Sequence, residues 1–260
     1  MFNLSPGREK AAPRGPRGQR AYVVGDVHGR TDLLDALLGK IHEDLERRPV
    51  RKAILAFVGD LIDRGPSSAQ VVERLRTYRH PGVRPLFILG NHEEVLLRVL
   101  AGDAALITKW RWFGGAECLQ SYGVDVERLA KLDDKGALAV VREAIPGTHV
   151  EFIESFADSG RFGDYLFVHA GIRPGVPLEE QLQSDLRWIR QDFLLDETDH
   201  GFVVVHGHTI SSETEERPNR IGIDTGAYSS GVLTALAIEN RERWFLDTRW
   251  VAGADRVAAD

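Results

Sequence analysis

Short apolar runs recur along the chain, and each ends close to a glycine and to polar residues. Four to six β-prone residues bounded by glycine indicate buried strands, and five segments fit: AYVVGDVHG, AILAFVGD, PLFILGNHE, DYLFVHAG and FVVVHGHT. Leucine and valine at helical spacing separate the first three, in TDLLDALLGKIHEDLERR and SSAQVVERLRTYR. This β-α-β-α-β order with short links predicts parallel strands joined by right-handed crossovers.

A long helical segment interrupts this alternation after the third predicted strand. From about 93 to 160 the pattern is helical, in EEVLLRVLAG, DAALITKWRWF and ERLAKLDDKGALAVVREAI. We interpret the segment as a helical insertion that covers the edge of the sheet. Its aromatic residues Trp110, Trp112 and Phe113 precede a Gly-Gly pair, and we expect them to serve packing rather than direct substrate contacts.

The end of the chain has a different pattern. RIGIDTGAYSSG, VLTALAIEN and RWFLDTRW are short apolar segments separated by Gly/Ser or Asn-Arg-Glu turns. Such turns are signals of hairpins, so the segments predict antiparallel strands. Added to the parallel set, these strands predict an α/β fold with two stacked sheets and helices outside.

The composition is that of a globular protein with one main domain. The chain has 260 residues, of which 43% are hydrophobic and 28% charged, and this size can bury a substantial core. Residues 1–20 contain five Lys/Arg, three Pro and three Gly, so we predict a disordered basic tail. The domain is expected to extend over 21–250, and 251–260 are expected to form a C-terminal tail.

Charge and cysteine content exclude several partners and settings. A formal net charge of −6 provides no basic footprint for duplex nucleic acid. The apolar runs are far shorter than the roughly 20 residues that span a bilayer, so no membrane partner is expected. The single cysteine, Cys118, cannot form an internal disulfide, which favours a reducing, cytoplasmic location.

Residues that can bind metals follow each of the five predicted strands. The carboxyl ends of parallel strands lie along one edge of a sheet, where α/β folds bind ligands, so these side chains are expected to converge. They are Asp26, His28, Asp60, Asn91, His169 and His208. Six groups exceed the ligands of one catalytic zinc ion and predict two metal ions that share a carboxylate. Asp60, which follows a middle strand, is the candidate bridge.

The donor types restrict the metals. Nitrogen and oxygen ligands without thiolate favour Mn, Fe, Zn or Co over copper(I) or iron–sulfur clusters, and Mn²⁺ is the first expectation. A pair of such ions activates water at neutral pH and neutralises phosphate oxygens. The predicted chemistry is therefore hydrolysis of a phosphoester.

Three residues beside the ligands have side chains suited to that chemistry. Arg64, in GDLIDRG, can form a planar, bidentate clamp on phosphate oxygens. His92 follows the ligand Asn91 in GNHE, and a histidine beside the leaving-group oxygen is the expected general acid. Asp63 can orient a nearby imidazole and raise its pKa.

The ordered motifs GDVHG, GDLIDRG, GNHE, HAG and GHT resemble the signature of the calcineurin-like metallophosphoesterases over about residues 21–230. More narrowly, they resemble the phosphoprotein phosphatase branch, which includes bacterial Ser/Thr protein phosphatases and the related symmetrical dinucleoside tetraphosphate hydrolases. The resemblance implies a four-layer α/β/β/α sandwich with both sheets inside. It also implies direct attack by a hydroxide bound to a dinuclear metal centre, without a phosphoenzyme.

The resemblance also implies a role for each site residue. The first metal is held by Asp26, His28 and Asp60, and the second by Asp60, Asn91, His169 and His208. The proton-donating dyad is His92 with Asp63. Substrate phosphate is bound by Arg64 and Asn91, and by Arg190 in the segment DLRWIRQDF, which is a looser match.

Three functions remain open at this point. The leading hypothesis is a Ser/Thr protein phosphatase, whose substrate is a phosphorylated protein or a small phosphoester. The alternative is hydrolysis of a dinucleoside tetraphosphate or another phosphodiester, because that reaction places a phosphorus atom against the same metal pair. A non-catalytic scaffold is the third hypothesis, and the complete ligand set argues against it.

Overall fold

A computed structural model describes residues 12–249, and this part of the chain contains two five-stranded sheets. The first sheet has the order β10-β9-β1-β2-β3 and the second the order β4-β5-β6-β8-β7, each numbered along the chain. The strands are β1 Gln19–Val24, β2 Lys52–Phe57, β3 Val83–Phe87, β4 Ser159–Phe162, β5 Tyr165–Val168, β6 Val203–His206, β7 Glu215–Glu216, β8 Arg220–Gly222, β9 Thr234–Glu239 and β10 Glu242–Asp247.

Alternation along each strand divides its side chains between two apolar cores. In β1, Ala21 and Val23 face the second sheet, where they share a core with Phe167 and Val205. Tyr22 packs on the opposite side, with the leucines of the first helix. The outer face of the second sheet has its own core against short helices. The period of two thus produces four layers, helix, sheet, sheet and helix, and the predicted α/β/β/α sandwich is confirmed.

Helices cover both outer faces. Two of them, α1 and α2, form the crossovers between the parallel strands β1, β2 and β3, as the leucine spacing predicts. The helices are α1 Thr31–Arg47, α2 Ser68–Arg76, α3 Asn91–Ala101, α4 Leu106–Trp110, α5 Ala116–Ser121, α6 Val126–Leu129, α7 Asp134–Ala144, α8 Gly147–Glu154, α9 Gln183–Trp188, α10 Gln191–Leu194 and α11 Ala227–Ser230. Within residues 12–249, none of them has the length and apolar character that crossing a membrane requires.

The segment between β3 and β4 is helical, as predicted, and consists of α3 to α8. Its one irregular piece is a π-helical turn, Arg111–Gly115, between α4 and α5. Gly114 has φ +106° there, a left-handed conformation that glycine adopts without strain. The aromatic segment that precedes the Gly-Gly pair is therefore a tight turn rather than a continuous helix.

The strand directions differ from the prediction at one point. β9 and β10 form the expected antiparallel hairpin, but β8 runs parallel to β6 and pairs antiparallel only with the two-residue β7. Glycine and serine turns mark the ends of a strand without fixing the direction of its neighbour. The turns therefore predict where these strands end, but not whether a neighbouring strand runs parallel or antiparallel.

The predicted tail boundary also needs correction. β1 begins at Gln19, and Arg20 is buried, with its Nη1 atom 2.9 Å from the hydroxyl of Tyr22 and its Nε 2.9 Å from Glu239. Hydrogen bonds and ion pairs allow this arginine to be buried in the sheet. Residues 1–11 and the predicted C-terminal tail, 251–260, lie outside the described residues.

Candidate metal centre and active site

The predicted ligands meet at the carboxyl ends of β1, β2 and β3 and of β5 and β6, where the two sheets share one edge. Several of the turns that carry them are left-handed: φ is +44° at His28, +51° at Asp60, +72° at Asp63, +65° at Arg64 and +64° at His208. Such backbone costs about 1–3 kcal/mol per residue and is concentrated at functional sites. The strained backbone at these positions directs the side chains inward.

Asp60 lies between two groups of histidines. Its Oδ2 atom is 3.6 Å from His28 Nε2, and its Oδ1 atom is 3.4 Å from His169 Nε2. Burial opposes the charge on Asp60, but the surrounding histidines, His169 most strongly, hold the pKa of its carboxyl below the ordinary value. A carboxylate with one oxygen toward each group has the orientation that a bridging ligand needs.

The first group fits a cation through the tautomer of His28. Its Nδ1 atom lies 2.8 Å from the carbonyl oxygen of Ile62, so Nδ1 carries the proton and donates. Nε2 is therefore unprotonated, and it is buried without a hydrogen-bond partner in the described part of the chain. Burial lowers the pKa of His28 to about 3, which keeps the ring neutral, as a metal ligand must be.

The second group brings three electron-rich atoms together. The Oδ1 atom of Asn91 lies 2.9 Å from His169 Nε2 and 2.9 Å from His208 Nδ1, and the two nitrogens are 3.2 Å apart. The other ring nitrogen of His169, Nδ1, donates a hydrogen bond to the carbonyl oxygen of Val58 at 2.7 Å. Burial lowers the pKa of both His169 and His208, to about 2 for His208. Neutral rings aimed at one point fit a cation there.

Asp26 lies at the edge of the site. Its carboxylate accepts a hydrogen bond from the backbone N–H of His208, at 3.1 Å to Oδ2. Burial raises the pKa of Asp26 well above the ordinary value, and the neighbouring carboxylates of Asp224 and Asp60 raise it further. Buried carboxylates that raise one another's pKa are stabilised by a nearby cation.

The chemistry of these donors therefore fits two metal ions. Among the described residues, two groups of three have ligand atoms within 4.8 Å of one another, namely His28, Asp60, His92 and Asp60, His169, His208. Both contain Asp60 and no sulfur. The structure adds His92 to the neighbourhood of the first group, with Nε2 3.8 Å from Asp60 Oδ2.

The structure brings the predicted acid dyad together. His92 Nδ1 lies 2.6 Å from Asp63 Oδ2, which leaves Nε2 facing the ligand cluster. Burial alone would lower the pKa of His92, but the charge of Asp60 and the hydrogen bond to Asp63 raise it to about 9. Arg64 Nη2 is 3.2 Å from the same Nε2 atom, so the guanidinium and the imidazole present their polar atoms to one space.

Two buried carboxylates at the site are not among the residues predicted from the sequence. Glu93 is fully buried and accepts backbone N–H bonds from Asp60 at 2.9 Å, Leu61 at 2.7 Å and Gly90 at 3.1 Å. It thereby fixes the left-handed turn at Asp60. In the sequence, Glu93 is the last residue of the GNHE motif. The other carboxylate, Asp224, ends the apolar run RIGID and so follows the same strand-end pattern as the ligands.

A cavity of about 350 Å³ opens beside the ligand cluster. The predicted phosphate ligands Arg64 and Arg190 both line it, together with Asn91. Its remaining wall comes from α9 and from the insertion, which contributes cationic and aromatic side chains. The lining residues outside the predicted site are Val95, Arg98, Leu106, Lys109, Trp110, Phe113 and Trp188.

The aromatic residues of the insertion have divided roles. Trp110 is 1% exposed and packs in the core, as predicted, whereas Trp112 is 85% exposed. Phe113 is 57% exposed and borders the cavity, with the ammonium of Lys109 5.9 Å from its ring centre. The prediction that these residues serve packing is therefore wrong for Trp112 and Phe113.

Known proteins with similar sequences include two types of tetraphosphatase. Over 238 residues the chain is 26% identical to the asymmetrical bis(5′-nucleosyl)-tetraphosphatase PrpE of Bacillus subtilis (strain 168), covering 82% of this chain and 88% of that protein. The symmetrical bis(5′-nucleosyl)-tetraphosphatase of Hamiltonella defensa is 46% identical over 81 residues, which are 31% of this chain and 26% of that protein.

Solved structures share the fold of this chain. A crystal structure of a protein provisionally assigned as a diadenosine tetraphosphatase superposes with a TM-score of 0.61 at 21% identity, covering 91% of this chain and 98% of that one. The family model for the calcineurin-like phosphoesterases matches residues 20–233. This range contains every predicted ligand, and the chain belongs to the calcineurin-like phosphoesterase family.

Proposed function

We propose that this metallophosphoesterase hydrolyses dinucleoside polyphosphates, the function that the sequence analysis ranked second. The observation that carries the proposal is the cavity beside the ligand cluster, because its walls offer several cations and exposed aromatic rings together. A chain of phosphates ending in two nucleosides needs both. The names of the relatives that match most of the chain support the same substrate class.

The charge of the cavity exceeds what one phosphate needs. Arg64 and Arg190 suffice to contact the oxygens of a single phosphate beside the ligand cluster. Arg98 and Lys109 add two more cations on the side of the insertion. Arg98 is paired with Asp103 at 2.9 Å, while Lys109 has no ion pair within residues 12–249. A polyphosphate extending along this wall would have its further charges neutralised.

The aromatic rings that border the cavity are suited to stacking against a nucleobase. Phe113 is 57% and Trp188 43% exposed, and both border the cavity. The indole of Trp188 is held by a hydrogen bond from Nε1 to Glu94 at 3.1 Å, so its ring has a fixed orientation. Stacking of a nucleobase on such a ring contributes about 1–3 kcal/mol.

The residues of the chain divide the work of hydrolysis. Arg64 and Arg190 orient the reacting phosphate, and His92 donates a proton from Nε2 to the departing oxygen while Asp63 holds its Nδ1. Two divalent ions on the clustered donors would lower the pKa of water and offset charge on the phosphate. We propose Mn²⁺ for both, because the donors are nitrogen and oxygen.

A substrate panel tests the proposal. The metal-reconstituted protein is given diadenosine tetraphosphate, a phosphoserine peptide and 4-nitrophenyl phosphate, and kcat/KM is measured for each. We expect the dinucleotide to exceed the peptide by at least about tenfold, the discrimination that one stacked base supports. The same preparation of Asp60→Asn controls for contaminating phosphatases.

The outcomes separate the candidate functions. A higher kcat/KM for the phosphopeptide would return the assignment to a Ser/Thr protein phosphatase, and no turnover of any phosphoester by protein with a full metal complement would favour a scaffold. The products identify the attacked phosphorus, since AMP with ATP marks asymmetrical cleavage and ADP alone marks symmetrical cleavage.

A further inference from the structure

The end of α4, directly before the π-helical turn of the insertion, contacts the acid dyad. Trp110, the last residue of α4, donates from Nε1 to Asp63 Oδ2 at 2.8 Å. The same oxygen lies 2.6 Å from His92 Nδ1. One carboxylate oxygen therefore has two ring N–H donors, one from the proposed acid and one from a helix that contributes no metal ligand.

Asp63 has few other means of keeping its orientation. Its side chain is fully buried and its backbone is left-handed, at φ +72°. The backbone N–H donates to Ser68 Oγ at 2.9 Å, which fixes the main chain but leaves rotation of the carboxylate free. Burial and the charge of Asp63 raise the pKa of the neighbouring Cys118 thiol well above its ordinary value, so Cys118 stays a neutral S–H, which is a weaker donor to the carboxylate than a ring N–H.

The backbone of the turn holds the same loop. The N–H of Arg64 donates to the carbonyl oxygen of Gly114 at 3.0 Å, and a Cβ added at Gly114 would lie 2.6 Å from the Arg64 backbone nitrogen. A Cβ at Gly115 would lie 2.5 Å from the indole ring of Trp110. Both glycines are thus required by close approach, one to the loop and one to the tryptophan.

We propose that Trp110 is a positioning residue for the His92–Asp63 dyad, seated by the Gly114–Gly115 turn. The indole N–H fixes the plane of the carboxylate, and the carboxylate fixes the imidazole with Nε2 toward the leaving group. The proposal rests on the acid role proposed for His92 and is independent of which phosphoester is the natural substrate.

Trp110→Phe is the first test, because it keeps an aromatic ring and removes the donor. Turnover is measured with two small substrates, phenyl phosphate and 2,4-dinitrophenyl phosphate, whose leaving groups differ in their need for a proton. We expect kcat for phenyl phosphate to fall roughly tenfold, the factor for one hydrogen bond to a charged group. With 2,4-dinitrophenyl phosphate the loss should be under about twofold, because that leaving group departs without protonation.

A second variant separates the hydrogen bond from packing. Replacing Trp110 by 3-benzothienylalanine puts sulfur in place of the indole N–H with nearly the same shape, so the core should stay filled. This protein should show the same dependence on the leaving group with an unchanged melting temperature and metal content. Trp112→Phe is the matched control, because Trp112 is 85% exposed, and it should leave both rates unchanged.

Coupling to His92 gives the decisive result. His92→Asn alone should lower kcat for phenyl phosphate by about 10²–10⁴-fold, and adding Trp110→Phe should cause no further dependence on the leaving group. Equal losses for both substrates in the benzothienyl protein would reduce Trp110 to a packing residue and overturn the proposal. Equal losses in His92→Asn would remove the acid role and the proposal with it, whereas a substrate panel that favours phosphopeptides would leave both standing.

Discussion

The strand-end turns and the helical insertion border one cavity, but they are built in opposite ways. The ligands on the turns are nearly inaccessible, with His169 0% and Asp60 2% exposed, and their ring or backbone atoms are fixed by hydrogen bonds to main-chain carbonyls and carboxylates. The exposed face of the insertion presents Phe113, which is 57% exposed, and Lys109, which forms no ion pair within residues 12–249 and lies 5.9 Å from the ring centre of Phe113. The positions of the buried ligands are fixed and therefore suit a single type of reaction. Residues on the exposed face can change which substrates are accepted without disturbing that reaction.

Metal removal should produce the largest effect, because it removes the common element of the buried half. Treatment with a chelator is expected to abolish turnover of 4-nitrophenyl phosphate, and Mn²⁺ is expected to restore it. Metal content is measured by mass spectrometry alongside the rate. Full activity in protein shown to be free of metal would contradict the two-metal interpretation of the turns.

Asp60→Asn should be the next most damaging change. The amide cannot offer a charged oxygen to both histidine groups, so we expect reduced occupancy of both metals and a rate loss of at least about 10²-fold, the scale of one strong electrostatic contribution. Asp44→Asn is the matched control, since Asp44 is also buried but bonds Tyr22 at 2.6 Å, away from the ligand cluster.

The control should lose stability and keep its activity. Removing the charge from the Tyr22–Asp44 hydrogen bond is expected to cost about 1–3 kcal/mol in the free energy of unfolding, measured by urea denaturation, with kcat unchanged. Two bound ions and a near-normal rate in Asp60→Asn would show that Asp60 is not the bridge.

The buried half was predictable from sequence because local rules determine it. An apolar run that stops at glycine fixes where a strand ends, and the strand end fixes where Asp26, His28 or His169 lies. Each of these residues could be identified within its own short segment. The predicted ligands indeed share one edge of the stacked sheets.

The parts that were missed depend on contacts between distant segments. Glu93 serves the turn at Asp60, 33 residues away, and nothing in GNHE shows which backbone donors it receives. Arg20 looked like part of a basic tail because its partner Glu239 lies 219 residues further along the chain. The hydrogen bond from Trp110 to Asp63 crosses 47 residues, and an aromatic residue in a helix carries no signal that its N–H reaches a carboxylate.

The smallest expected effect concerns the exposed half. Substitutions there should change the preference between substrates and leave the hydrolytic reaction intact. Phe113→Ala removes a ring that borders the cavity and is not among the predicted metal ligands. We expect kcat/KM for diadenosine tetraphosphate to fall roughly tenfold, the lower part of the range for a lost base–aromatic stack. Turnover of 4-nitrophenyl phosphate should change much less, because its single ring and phosphate occupy the space next to Arg64 and Arg190.

Trp112→Ala provides the matched control for this ratio, since Trp112 is an exposed aromatic neighbour that does not line the cavity. It should leave both rates and their ratio unchanged. Lys109→Ala should shift the ratio in the same direction as Phe113→Ala, because a screened cation contributes to a polyphosphate and little to one phosphate near the ligand cluster. An equal fall for both substrates in Phe113→Ala would mean that the exposed rings of the insertion support the chemistry as the buried Trp110 is proposed to do, and the division between a fixed half and an adaptable half would not hold.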